Sequence, residues 1–380
     1  MRVVQIIDSL VAGGKERQFC ELARGLAERP GVDVEVVVLS DVIQYAALEG
    51  VPVPIHTIAR NHGGASLSDF LRVRRLLQSL KPDVVHSWNS MCSVYAGPAA
   101  WLGGAAFVNG AFRNAEAKQS PGMRLRTLLT LPFSDVAVAN SRAGAAAYKL
   151  PARKSASIHN GFDGSRLAAL PPAAEVRRSL GIDTPFAVGM VAGFRPDKDY
   201  RTFLQMATAL TRRRDDVTVV AVGDGPERES LQREFPSAGF PRIRFLGHRT
   251  DVEAISSIFS VGVLTSFNEG ISNAVMEYMA LGKPVVVSDI PGNRELVDEG
   301  RSGFLVPAND AETLESRISE LLDNADLAER FGAAGHETIG RDFSFPAMID
   351  AYLSLYRNVL ARRAAGKPGL PQELRRTVGL

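Results

Sequence analysis

The sequence is poor in cysteine and carries no excess of either charge. Its two cysteines, Cys20 and Cys92, are too few for a disulfide scaffold and match no zinc-ligand spacing. They read as small hydrophobes of a core. Lys and Arg number 44 against 42 Asp and Glu, a formal net charge of +2, so no overall basic field marks a nucleic-acid partner. Long apolar runs are also missing. No stretch approaches the ~20 uncharged apolar residues of a membrane-spanning helix. The opening segment MRVVQIIDSLVAGG breaks at Asp8, shorter than a secretory h-region, so a cytoplasmic location is expected. The Gly-containing turn Val11–Lys15 has neither the GxGxxG nor the P-loop pattern, so neither a dinucleotide nor ATP follows from it. What remains is an ordinary globular composition, 45% hydrophobic and 23% charged, over 380 residues. At ~150 residues per domain that length suits two domains.

Short Val- and Ile-rich runs recur along the chain: Val3–Ile7, Val34–Leu39, Val84–His86, Ala105–Asn109, Val136–Ala139, Ala187–Ala192, Val217–Val222, Ile243–Leu246, Val261–Leu264 and Val285–Val287. They are too short for buried helices and read as strands covered on both faces, the mark of parallel sheets. Helical segments such as Lys15–Arg29, Asp69–Leu80, Tyr200–Arg213 and Asn273–Leu281 lie between them. The expected fold class is α/β, two facing Rossmann-like doubly wound domains with an interdomain cleft at the carboxyl ends of the strands. The first domain is set at 1–165, a linker region around Pro171-Pro172 at 166–184, and the second domain at 185–342. A C-terminal helix crossing back to the first domain follows at 343–361, then a mobile basic tail at 362–380.

Several strand ends carry residues suited to chemistry. Gly13-Gly14 opens a helix, where backbone NH groups favour an anion; a plain turn is the other reading. Arg195 and Lys198 follow a strand and precede a helix, an arrangement suited to a diphosphate, with solvated loop cations as the alternative. Gly223-Asp224-Gly225-Pro226 and Gly247-His248 end two further strands, as turns or as readers of a base edge. The fullest pattern is Phe267–Val285, in which Glu269 lies in a loop and a helix starts near Asn273. Glu277 lies about one turn into that helix, and Gly282 and Pro284 end it. The loop NH groups and helix dipole suit a phosphate, Glu277 can reach a ribose diol, and Glu269 can reach a sugar hydroxyl or a developing positive charge.

At these residues the chain resembles the retaining glycosyltransferases of the GT-B fold, family 4. The resemblance runs over almost the whole chain and in the family's order. It is carried by Gly13-Gly14-Lys15-Glu16, Pro82–His86, Ala139-Asn140-Ser141 and His159-Asn160-Gly161-Phe162-Asp163 in the first half. The second half adds Arg195 with Lys198, Gly223–Pro226, Glu269 with Glu277, and Ser302–Val306. It implies that a nucleotide sugar, UDP- or GDP-linked, binds the second domain and that the first presents a glycan or lipid-linked acceptor. Arg195 and Lys198 would stabilise the leaving diphosphate, together with NH groups near Gly14 and in Gly270, Ile271, Ser272 and Asn273. Glu277 would bind the ribose and Glu269 the transferred sugar. The donor-binding set is completed by Gly223, Gly247 and His248. No cofactor and no metal are expected, since cations and helix termini neutralise the diphosphate. Transfer would proceed with retention, as a hexosyl transfer in cell-surface polysaccharide or glycolipid synthesis.

The chain departs from the family where many members place a His after a first-domain strand. Here the stretch is Val108–Asn114, without His. Glu16, His86, Arg113 and Asn114 are the acceptor-side candidates; His86, at the preceding strand end, is structural or acceptor-side, and Arg113 and Asn114 can contact the acceptor or the donor sugar. Met123–Leu131 mixes Arg124 and Arg126 with four leucines, either a surface for anionic lipid or core leucines beside solvated arginines. Two rival functions share the fold: a nucleotide-sugar epimerase and a non-catalytic nucleotide-sugar-binding subunit.

Overall fold

The computed structural model describes residues 1–11, 13–41, 53–60, 65–116, 119–236 and 239–366. Ala12 of the first Gly-containing turn and 367–380 of the expected basic tail lie outside the described residues. The chain forms two compact units, Met1–Gly161 together with the segment from Phe345, and Phe162–Ser344.

Apolar runs become strands here because a parallel strand buries both of its faces. The first unit holds β1 (Arg2–Ile7), β2 (Asp33–Val38), β3 (Ile55–Thr57), β4 (Val84–Ser87), β5 (Ala106–Phe112), β6 (Val136–Ala139) and β7 (Ser155–Ser157). They form one parallel sheet in the order β3-β2-β1-β4-β5-β6-β7. Val3, Val4, Ile6 and Ile7 of β1 are all fully buried, as a central strand requires. Around the sheet are α1 (Gly14–Ala27), α2 (Leu67–Leu80), α3 (Ser90–Gly103), α4 (Pro121–Thr130) and α5 (Arg142–Ala147). Asn89 caps α3 by accepting the Cys92 NH at 2.7 Å, and Gly104, left-handed at φ 77°, ends it.

The second unit repeats the plan. After α6 (Ala173–Leu180) come β8 (Phe186–Val191), β9 (Val217–Val222), β10 (Ile243–Gly247), β11 (Val261–Leu264), β12 (Val285–Ser288) and β13 (Gly303–Val306), all parallel in the order β10-β9-β8-β11-β12-β13. Its other helices are α7 (Tyr200–Arg213), α8 (Arg228–Glu234), α9 (Val252–Ser257), α10 (Asn273–Ala280), α11 (Ala311–Asp323) and α12 (Ala325–Asp342). The chain then returns: α13 (Phe345–Ala364) packs Met348, Ile349, Tyr352 and Tyr356 into the first unit's core, with Val3, Ile7, Phe19 and Leu22.

In both sheets strand order reverses beside the first strand, between β1 and β4 and between β8 and β11. That reversal opens a crevice at the carboxyl ends, the place where ligands bind in doubly wound sheets. The stretch 166–184, read from sequence as a linker region, folds with the second unit, where Val176 and Ile182 are core residues. Both cysteines are buried, and burial pushes the Cys20 thiol up to about 12, with Glu21 and Glu16 adding to it. They are core residues, not reactive thiolates.

Candidate active site

The second sheet gathers most of the expected site residues at its switch point. The loop after β8 is anchored from below. The Phe194 ring is fully buried and stacks on Tyr200, centroids 3.7 Å apart and planes 1° from parallel. The Tyr200 hydroxyl donates to the Val222 carbonyl at 2.8 Å and accepts the Ala192 NH at 3.1 Å. Burying rings of this size contributes about 1.5–3 kcal/mol each, enough to fix the loop that carries the charges. The neighbouring turn must be glycine. Gly223 and Gly225 take φ of 137° and 155°, and a Cβ would lie 1.9 Å from the Ala192 oxygen and 2.5 Å from the Phe194 oxygen. Gly223 also donates to the Gly247 carbonyl at 2.8 Å, so these two expected donor-binding glycines adjoin. His248, beside Gly247, is exposed.

Arg195 and Lys198 stand on this anchored loop but differ in their surroundings. The Arg195 side chain is 56% exposed and grips Asp197 bidentately at 3.0 and 2.9 Å. Burial alone would raise the Asp197 carboxyl, but the Arg195 bonds and the Lys198 charge outweigh it and hold it below the usual range. Lys198 is more enclosed and forms an ion pair with Glu269. Glu269 arrives from the loop after β11, where the Ser266 hydroxyl donates to its Oε1 at 2.6 Å. Backbone bonds hold the two loops together: Phe267 NH donates to the Asp197 carbonyl at 2.9 Å, and the Thr265 hydroxyl to the Asp199 carbonyl at 2.9 Å. Lys198 and Glu269, 71 residues apart in sequence, therefore meet across the switch point.

The loop continues through Gly270, Ile271 and Ser272, all buried, to α10. Ser272 caps that helix, its hydroxyl accepting the Val275 NH at 3.4 Å. Asn273 opens it, and Glu277 lies one turn further in with only 3% of its side chain exposed. Its Oε1 accepts from Arg166 at 3.0 Å. The sequence reading missed Arg166, Ser266 and the two tyrosines Tyr200 and Tyr278, the last of which accepts the Val191 NH at 2.7 Å. Arg166 had one signal, its place three residues after the Asn160–Asp163 segment.

In the first unit, Gly14 starts α1, and the neighbouring Lys15 bonds Asp8 at 2.6 Å and Glu16 at 3.2 Å. Burial lowers the Lys15 ammonium, yet the Asp8 and Glu16 charges outweigh it and the net shift is upward. Glu16 is buried, its carboxylate folded back against Gly13. Arg113 is half-buried; its guanidinium lies 3.7 Å over the Trp88 ring, donates to the Gly110 carbonyl at 3.0 Å and reaches the Tyr352 hydroxyl at 3.5 Å. Asn114 accepts from the Tyr148 hydroxyl at 2.6 Å.

His86 corrects the sequence reading. Of its two readings, acceptor-side and structural, the structure favours the second: it is fully buried beneath Trp88 and the two α13 tyrosines, its Nδ1 2.8 Å from the Tyr356 hydroxyl. Strand register explains this: His86 lies beside Gln5 on the face that α1 and α13 cover. Burial first, and then the Arg113 charge, hold its imidazole well below 6.5, so it is neutral.

Comparison with known proteins agrees with this fold. The model described as glycosyltransferase family 4 matches residues 12–166, and the model described as glycosyl transferases group 1 matches 185–324. Two Rhizobium meliloti proteins, the lipopolysaccharide core biosynthesis glycosyltransferases LpsE and LpsD, are 27% and 28% identical to the chain. Those alignments cover 90% and 92% of this chain and 95% and 97% of theirs. The crystal structure of Anabaena HepE in complex with UDP and glucose superposes with a TM-score of 0.84 at 21% identity, over 94% of this chain and 99% of that one. With one family model on each unit and the two together spanning most of its length, the chain belongs to the family 4, group 1 glycosyltransferases of the GT-B fold.

Proposed function

We propose that the protein transfers a sugar, with retention of anomeric configuration, from a UDP- or GDP-sugar to a glycan or lipid-linked acceptor in cell-surface polysaccharide or glycolipid synthesis. One observation carries this: Lys198 and Glu269 meet across the second sheet's switch point with Arg195 on the same loop. Two cations there match the charge of a departing diphosphate, and a carboxylate beside them faces the positive charge that builds on a sugar as its bond breaks. In this account Arg195 and Lys198 hold the diphosphate without a metal. Ser272, Asn273 and the NH groups of Gly270 and Ile271 share that load, and Glu277 takes the ribose diol. Gly14, Gly223, Gly247 and His248 complete the donor contacts. Lys198 then exchanges its partner Glu269 for phosphate oxygens, which leaves Glu269 for the sugar. Arg113, Asn114 and Glu16 serve the acceptor. The names of the R. meliloti relatives and the UDP bound to HepE support the donor class and the glycan setting.

The test is turnover of a UDP- and GDP-sugar panel with lipid-linked and free glycan acceptors, with and without EDTA, and with NMR assignment of the product anomer. An inverted product ends the retaining account. Loss of activity in EDTA, restored by a divalent ion, ends the metal-free one. Donor binding with neither transfer nor slow hydrolysis points to a binding subunit, and epimerised donor points to the epimerase.

Peripheral membrane contact belongs to the same proposal. None of the described helices is long and apolar enough to cross a bilayer. However, α4 exposes Leu125, Leu128 and Leu129 at 56%, 69% and 55%, beside exposed Arg124, so these leucines are not core. Trp101 and Leu102 at the end of the adjoining α3 are exposed as well. Apolar side chains beside arginine fit an anionic lipid surface. Failure to co-sediment with phosphatidylglycerol vesicles at low salt would exclude it.

A further inference from the structure

Glu277 is an almost fully enclosed carboxylate, and such a group needs charged or hydrogen-bonded partners where it sits. One of them comes from a distant part of the chain. Asp163 opens a short turn at Gly164–Leu167 by accepting the Ser165 NH at 3.0 Å, and Arg166 projects from that turn. The guanidinium lies 5.1 Å from the centre of the Phe162 ring, donates to Glu277 Oε1 at 3.0 Å and forms an ion pair with Glu253 of α9. The Arg166 side chain is 19% exposed and Glu253 14% exposed, so the three charges are held in an enclosed row.

We propose that Arg166 is the positioning residue of the nucleoside end of the site, holding the Glu277 carboxylate in register for a ribose diol, with Glu253 fixing Arg166 through the same nitrogen, Nη2. This rests on Glu277 being the ribose carboxylate, as proposed above. The chemistry follows from the inventory of donors and acceptors. Arg166 Nη2 meets both carboxylates, and its two N–H groups can serve one each while the rest of the rigid guanidinium fork fixes their direction. A carboxylate has two oxygens and about four acceptor positions, so a bond from Arg166 to Oε1 is compatible with hydroxyls donating to the same group. Bonds from a diol to an ionised acceptor are about twice as strong as neutral ones, but only while the carboxylate keeps its orientation. Arg166 touches no substrate in this account; it acts through Glu277.

The experiment compares binding of the nucleoside diphosphate (UDP and GDP are both tried) with binding of its 2′,3′-dideoxy counterpart, by calorimetry on the full chain. The wild type is expected to favour the ribose form by about tenfold or more, the factor of one charge-assisted bond. Glu277→Ala and Arg166→Met should both reduce that preference to about twofold or less, and Arg166→Lys, which keeps the charge but not the fork, should fall between. In the Glu277→Ala background, Arg166→Met should leave the ratio where it is. A merely structural arginine would weaken both ligands equally and keep the wild-type ratio, and that result overturns the proposal. Thermal melting checks the fold; if Arg166→Met does not fold, Arg166→Lys and Glu253→Gln carry the test, and a wild-type ratio in both overturns it. If the wild type binds neither nucleotide, the donor-site assignment itself fails and this inference with it. If the ratio collapses in Glu277→Ala but survives in Arg166→Met, only the role of Arg166 fails.

Discussion

At the switch point of the second sheet, the loops after β8 and β11 bring charges together near the surface: Arg195 with Asp197, and Lys198 with Glu269. At the corresponding point of the first sheet, β4 runs into a buried aromatic group in which His86 is enclosed by Trp88, Tyr352 and Tyr356. Here Arg113 is the cation that lies against the group, stacked on Trp88. The topology is the same, but after β4 the furnishing is aromatic, and the ion pairs of Lys15 with Asp8 and Glu16 lie after β1, where α1 begins. Ion pairs at the second switch point can be exchanged for those of an incoming anion, because each is between side chains on loops. The first switch point offers no such exchange at His86, whose Nε2 has no hydrogen-bond partner among the described residues and no route to solvent. A doubly wound sheet therefore fixes where chemistry can be placed, while side-chain burial decides whether it is placed there.

The contrast can be broken most sharply on the charged side. Lys198→Ala and Arg195→Ala should each lower kcat by about 10²–10³, equivalent to ~2.7–4 kcal/mol of barrier, if each acts as a preorganised charge on the leaving group. Near-normal steady-state turnover in both variants would remove the cations from the mechanism. On the aromatic side the expected damage is to folding. A Cβ at Gly110 would lie 2.5 Å from His86 Nε2, so Gly110→Ala should destabilise the protein by about 1–3 kcal/mol through overpacking. Denaturant melts would show it, and an unchanged midpoint would mean that both the ring and the Ser87 carbonyl, 2.7 Å from the same Cβ, can shift.

Smaller effects sharpen the same comparison. Because folding keeps His86 neutral, the unfolded chain binds a proton below about pH 6.5 that the folded chain refuses. Stability from this group is complete above that pH and falls as pH drops, by up to about 1.4 kcal/mol per pH unit. His86→Gln should flatten the wild-type slope between pH 7 and 5.5; an identical slope would assign it to other groups. Arg113→Lys keeps the charge and loses the planar stack, so the acceptor KM should rise about tenfold with donor affinity unchanged. A change confined to donor affinity would move Arg113 to the other substrate. Least disruptive to the fold is Leu128→Glu on exposed α4: stability should stay within about 0.5 kcal/mol while sedimentation with anionic vesicles drops.

How much of this was legible depended on what each feature rests on. The central strands β1, β8 and β9 announce themselves because a doubly buried strand is mostly apolar, with Gln5 the large polar exception inside β1. β3 and β7 did not, since Ile55-His56-Thr57 and Ser155-Ala156-Ser157 are three-residue strands with no apolar run. β13 was seen only as part of the Ser302–Val306 motif. At the site, Arg195, Lys198, Glu269 and Glu277 stand beside glycines and strand ends, which are local signals. Arg166 lies 111 residues from Glu277, and nothing in its own neighbourhood names that partner. His86 carries two readings in the sequence, structural and acceptor-side, for the same reason: its strand end is visible, but the tyrosine that covers it comes 270 residues later.

The return of α13 has a consequence for synthesis. The second unit is an insertion between two pieces of the first, so the earliest part of the chain to leave the ribosome is the last to be completed. Until Met348, Tyr352 and Tyr356 are made, Val3, Ile7, Phe19 and Leu22 lack part of the apolar cover they have in the finished core. The nascent first unit must wait with an exposed greasy face while the second folds as a contiguous block, an interval in which chaperones and aggregation compete for it.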